Sequence, residues 1–144
     1  MGDMRRFVSL LLAVPACAGV LALTGCADSG GAERVTVPYT EDAVTIGVGD
    51  TLVVDFGEIN SSIGDSWELT QLPDEAVLSE GEVEINVLDE DVVGGYTELA
   101  YTFVGESAGT TTIGFTYSYR GNVGDEEGRT QDPTPTIEVR VVEQ

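Results

Sequence analysis

Acidic side chains are the first candidates for chemistry in this chain, because they are numerous and partly clustered. Asp89, Glu90 and Asp91 are consecutive, as are Asp125, Glu126 and Glu127. Paired carboxylates can act as general acid and base on a glycosidic bond, but they need a deep cleft around the sugar, which a β-domain of this size rarely encloses. Clustered carboxylates can also hold calcium, yet neither run has a calcium-loop spacing. Both runs read as solvated loop charge. The chain contains no histidine, and its six basic residues are all arginines. A Ser-His-Asp triad, a Cys-His dyad and a Ser-Lys pair are therefore ruled out. Gly47-Val48-Gly49-Asp50 has neither the third glycine nor the following helix of a phosphate-binding loop, so it reads as a turn. No enzyme, no cofactor and no metal site is expected. What remains is backbone and side chains presented by loops.

Three stretches have that character. Asn60-Ser61-Ser62-Ile63-Gly64 joins the runs Thr51 to Phe56 and Ser66 to Leu72 through small polar residues, one apolar tip residue and a glycine. The second, Asp89 to Tyr96, contains Val93, Gly94 and Gly95, and paired glycines let a backbone approach a partner closely. The third begins at Tyr117-Ser118-Tyr119-Arg120 and continues as an acidic run to Pro135.

The elements that must carry these loops are strands. From Val35 onward, apolar residues recur at every second position, the period of a strand with one buried face. The inward sets are Val35 and Val37; Val44, Ile46 and Val48; Leu52, Val54 and Phe56; Trp67 and Leu69; Val83, Ile85 and Val87; Leu99, Tyr101 and Phe103; Ile113, Phe115, Tyr117 and Tyr119; Ile137, Val139 and Val141. Short runs rich in Val, Thr, Ile and aromatic residues, divided by turn signals, predict two antiparallel sheets packed face to face. The expected fold is an all-β, immunoglobulin-like antiparallel β-sandwich of about seven to eight strands, with Trp67 in its core. In such a sandwich, connections two apart in sequence share one end, which places the three loops together.

The amino terminus carries a different message. Arg5 and Arg6 precede an apolar run from Phe7 to Leu23 that is interrupted by Pro15 and is short for a membrane span. Residues 1–25 are expected to be a secretory signal. Leu23-Thr24-Gly25-Cys26 resembles the lipobox of bacterial lipoproteins, which implies cleavage before Cys26 and acylation of its thiol. Cys17 would leave with the signal, so the mature chain would retain no free thiol. Residues 26–33 read as a flexible tether, of which Ala27 to Ala32 reach at most roughly 20 Å, and residues 34–144 as the domain. The mature chain would carry four arginines against 25 acidic residues, a formal charge near −21. Nucleic acid is excluded as a partner. A monomer is expected, extracytoplasmic and held at the cell membrane or envelope by lipid on Cys26.

The loops also carry a resemblance. Asn60-Ser61-Ser62-Ile63-Gly64-Asp65-Ser66-Trp67 resembles the N-P-T-T-G-Y-x-W loop of the chagasin family, inhibitors of papain-like cysteine proteases, through Asn60, Gly64 and Trp67. Ser61, Ser62, Ile63 and Asp65 depart from it. Gly94-Gly95 resembles the end of the family's G-x-G-G loop, with Val92 replacing the first glycine, and Tyr117 to Arg120 resembles Y-x-R-P-W with Gly121 and Asn122 replacing proline and tryptophan. The resemblance spans about Gly49 to Arg120. It implies a wedge filling the active-site cleft of a papain-like cysteine protease. Asn60, Ser61, Ser62, Ile63 and Gly64 would lie over the catalytic centre, Val93, Gly94 and Gly95 would form one wall, and Tyr119 and Arg120 the other. Loss of the proline and of the Pro-Trp pair implies weaker binding than a full-motif inhibitor achieves. The alternative is a non-inhibitory immunoglobulin-like envelope lipoprotein binding another extracytoplasmic partner.

Overall fold

The computed structural model describes residues 31–88, 91–124 and 127–144. The signal, the lipobox, Cys26 and most of the tether lie outside the described residues. Among the described residues nine strands follow in order: β1 (Arg34–Pro38), β2 (Ala43–Gly47), β3 (Thr51–Ile59), β4 (Asp65–Gln71), β5 (Glu82–Val87), β6 (Thr97–Val104), β7 (Gly109–Tyr119), β8 (Asn122–Val123) and β9 (Thr136–Val142). A single 3₁₀ turn, Ser61–Ile63, separates β3 from β4. One sheet has the order β1-β3-β6-β5; the other has β2-β9-β7-β4, with β8 added beside β7.

Alternating apolar residues produce this sandwich by the expected route. Leu52, Val54, Phe56, Leu99, Tyr101 and Phe103 project from one sheet against Trp67, Ile113, Phe115, Tyr117, Ile137, Val139 and Val141 from the other, and all are buried. At about 1.5 to 3 kcal/mol for each large side chain buried, this layer dominates the favourable energy of folding. Its centre is aromatic. Phe56 packs against Tyr39, Trp67, Tyr101 and Phe115 at centroid distances of 5.5, 4.8, 5.8 and 4.9 Å. The Tyr101 hydroxyl donates to the Trp67 carbonyl oxygen at 3.1 Å, so the one polar atom of that ring is satisfied inside the core.

Three features differ from the sequence-based expectation. The sheets are mixed, since β1 pairs with β3 and β2 with β9 in parallel. The chain alternates sheets from β1 to β2 to β3 while reversing direction at each turn, so the first and third strands of that series become parallel neighbours. A ninth strand, β8, arises within the run expected to be irregular. Val83, Ile85 and Val87 stand in register with Tyr101, Leu99 and Thr97 of β6, yet they are 53, 60 and 51 % exposed. β5 is an edge strand, and the opposite sheet does not reach over it. Val48 is likewise partly exposed in the turn after β2.

The end of the sandwich away from the loops is tied by Asp50. Its carboxylate accepts from the Gly47 amide at 2.7 Å, the Glu33 amide at 2.9 Å and the Gln144 side-chain amide at 2.8 Å. The hydrogen bonds from Glu33 and Gly47 hold its pKa below the ordinary 3.8. The ionised form is therefore favoured in the folded state. The stability it contributes is present above pH 3.8 and is lost as pH falls through the depressed folded value. Asp50→Asn should flatten the acid limb of a plot of Tm against pH between about 2 and 6; an unchanged limb would count against this linkage.

Candidate functional site

β3 and β4, β5 and β6, and β7 and β8 are joined at the same end of the sandwich, so the topology brings the three singled-out stretches together. Asn60 fastens the first to the second. The chain leaves β3 through this residue, which is 7 % exposed and caps the short 3₁₀ turn. Its side-chain oxygen accepts from the Ser62 amide at 3.1 Å and from the Ser62 hydroxyl, while its side-chain NH₂ donates to the Gly94 carbonyl at 3.1 Å. The Ser62 hydroxyl also lies 3.3 Å from that carbonyl. Two backbone groups in different loops thus depend on one side-chain amide, and Asn is suited to this because it offers donor and acceptor together.

Gly64 fastens the first stretch to the third. Its carbonyl accepts from the Arg120 amide at 3.0 Å. It sits at φ +100°, and a Cβ there would lie 2.9 Å from the Arg120 nitrogen and 3.1 Å from its Cα. Only glycine meets both demands. Gly94, at φ +80°, faces the Ser62 hydroxyl, which a Cβ would approach to 3.1 Å. Gly95 closes a turn by donating to the Val92 carbonyl at 3.3 Å.

Ser61 and Ile63 point outward on the first loop, and Val93 is fully exposed at the tip of the second. Tyr119 and Arg120 form a different third element from the broad loop expected. Tyr119 pairs with Asn122, leaving Arg120 at φ 51° and Gly121 at φ 80° as a two-residue connection. Two consecutive left-handed residues are the signature of a type I′ hairpin turn, whose twist matches that of the flanking strands. A tight hairpin stands where the resemblance would place proline and tryptophan.

Sequence reasoning missed the support beneath this crest. The Asp65 carboxylate accepts from the Tyr117 hydroxyl at 2.6 Å and from the Asn60 amide at 3.2 Å, and pairs with the Arg129 guanidinium at 3.3 Å. Arg129 also lies 4.0 Å from the Tyr119 ring centroid, and Arg120 lies 5.0 Å from it. The Tyr39 hydroxyl and Thr130 Oγ1 are 2.8 Å apart. The run before Pro135 is thereby anchored to the sandwich. The available signal was Arg129 itself, the one cation in that acidic run. Burial, then the bond to Asp65, pushes the Tyr117 pKa up to about 12. The stability tied to its neutral form is complete below the ordinary value of 10 and is lost as pH rises toward about 12. Tyr117→Phe should weaken the loss of Tm at alkaline pH, and an unaltered alkaline limb would refute that assignment.

No protein-family model and no characterised protein sequence matches this chain. Solved structures do. Amebosin superposes with a TM-score of 0.56 at 19 % identity, over 78 % of this chain and 100 % of amebosin. The cysteine protease inhibitor EhICP2 from Entamoeba histolytica superposes with a TM-score of 0.55 at 16 % identity, over 78 % of this chain and 99 % of its own. The chain shares its fold, an immunoglobulin-like β-sandwich, with these structures. At this level of identity the likeness concerns the backbone.

Proposed function

We propose that this chain is a reversible proteinaceous inhibitor of papain-like cysteine proteases, which enters the active-site cleft with the crest formed by its three loops. The observation that carries this reading is the joining of all three loops through Asn60 and Gly64 into one body. A wedge inhibits without being cut if its backbone stays rigid in the cleft and offers no well-placed scissile carbonyl. Preorganisation also lowers the ordering cost of binding. Ile63 would face the catalytic centre, Val93 to Gly95 one wall of the cleft, and Arg120 with the half-buried Tyr119 the other. The role is one of binding and not of catalysis. Acylation of Cys26 would hold the inhibitor at the outer face of a bacterial membrane, where extracytoplasmic proteases would meet it.

Titration of the chain against papain and a cathepsin-type enzyme, with a fluorogenic substrate at two salt concentrations, tests the proposal. Reversible, stoichiometric inhibition with the chain left uncut is expected, with an inhibition constant above the subnanomolar range because the Pro-Trp pair is missing. A folded chain that fails to inhibit at about 50 μM, an affinity weaker than roughly 6 kcal/mol, would refute it and favour a non-inhibitory envelope partner.

A further inference from the structure

We propose that β5 is a homodimerisation edge, joining two copies of this chain into one continuous eight-stranded sheet. β5 pairs with β6 from Glu82 to Val87 without a register shift, and among the described residues its other edge carries no strand. The other edges are blunted. β1 and β2 are five residues long, β1 ends in Pro38, and the pairing of β4 is broken by a shift between Leu69 and Gln71. A flat, regular edge with an apolar face and no proline is a template for another strand.

The sequence of β5 indicates which strand. Val83, Ile85 and Val87 share one face, while Glu82, Glu84 and Asn86 share the other. In an antiparallel pair on a two-fold axis through Ile85, Ile85 meets Ile85 and Val83 meets Val87, so the apolar strip left open by the opposite sheet is covered by an identical strip. On the other face Glu84 meets Asn86, an acceptor opposite a donor. A pairing centred on Glu84 would set carboxylate against carboxylate, and one centred on Asn86 would shorten the apolar match. The Ile85 register alone avoids both. Its remaining like-charge neighbours, the two Glu84 side chains, lie diagonally, and each is already paired with Arg34 at 2.6 Å. The three loops leave from the end of the sandwich, so both crests stay open in the dimer.

The large negative charge of the chain opposes this association at long range, and salt screens that repulsion while leaving the apolar contact intact. The dimer therefore strengthens with ionic strength, in contrast to a contact held by ion pairs. Sedimentation equilibrium of the full 144-residue chain, reduced and in a density-matched non-ionic detergent, should show a monomer–dimer equilibrium that shifts toward dimer between about 50 and 500 mM salt. Ile85→Glu, at an exposed position compatible with folding, would place two carboxylates face to face. It should raise the dimer Kd at least about a hundredfold, which is near 2.7 kcal/mol. Val87→Glu should act in the same direction and carries the test if the first variant does not fold. A wild-type chain that stays monomeric, or a dimer unaffected by either substitution, overturns the proposal. If a monomeric chain loses protease inhibition on Ile85→Glu, the strip belongs to the protease contact instead.

Discussion

Gly64→Val is expected to destabilise the chain by about 3 kcal/mol or more and to abolish inhibition in the same step. Two costs arise at this position. A β-branched residue at φ +100° occupies a backbone region open almost only to glycine, and its Cβ would stand 2.9 Å from the Arg120 nitrogen. That neighbour is backbone, held at φ 51° in a two-residue turn, and it cannot swing aside as a side-chain tip would. Relief requires the first and third loops to part, which breaks the hydrogen bond from the Arg120 amide to the Gly64 carbonyl. Thermal unfolding followed by circular dichroism should show Tm lowered by about 10 °C or more. A variant with wild-type Tm and wild-type inhibition would show that the loops need not be joined there.

Ile63→Asp separates binding from folding. Ile63 is 38 % exposed in the free chain, so a carboxylate there keeps its water and should change stability by less than about 1 kcal/mol. In a protease cleft the same carboxylate would be desolvated beside the catalytic thiolate, with no cation from this loop to pair it. Affinity should fall at least about a hundredfold. Inhibition constants for the wild-type chain and the variant, with Tm measured on the same samples, provide the check. Unchanged inhibition by the variant would place the catalytic centre elsewhere than at this tip. Together the two substitutions distinguish the geometry that holds the crest from the surface it offers.

The hub residue Asn60 shows where sequence reading stops. Its type and its position before a small polar loop marked it as a candidate contact. In the folded chain it is largely buried and serves to bind Ser62 and Gly94 to each other, so its energetic role is internal. Asp65 offers the reverse case. In the sequence it is only a departure from an aromatic position, yet its carboxylate gathers Asn60, Tyr117 and Arg129 beneath the crest. Tyr117 and Arg129 are far from Asp65 along the chain, and nothing in local spacing announces that they meet it.

The sequence alone determined the sandwich, its buried face and the end at which the loops cluster, because period-two alternation is a local property that each strand carries in full. Leu52, Val54 and Phe56 face inward whichever partner their strand finds. The tertiary structure decided what depends on partners. It made β1 parallel to β3 because the chain crosses to the other sheet between its two reversals, and it set β2 parallel to β9 from the far end of the chain. It left Val83, Ile85 and Val87 open because burial requires an opposite layer as well as an apolar pattern. It also joined three separate loops through Asn60 and Gly64, since contacts of that kind depend on how far apart the strand ends come to lie, a distance that no single strand encodes.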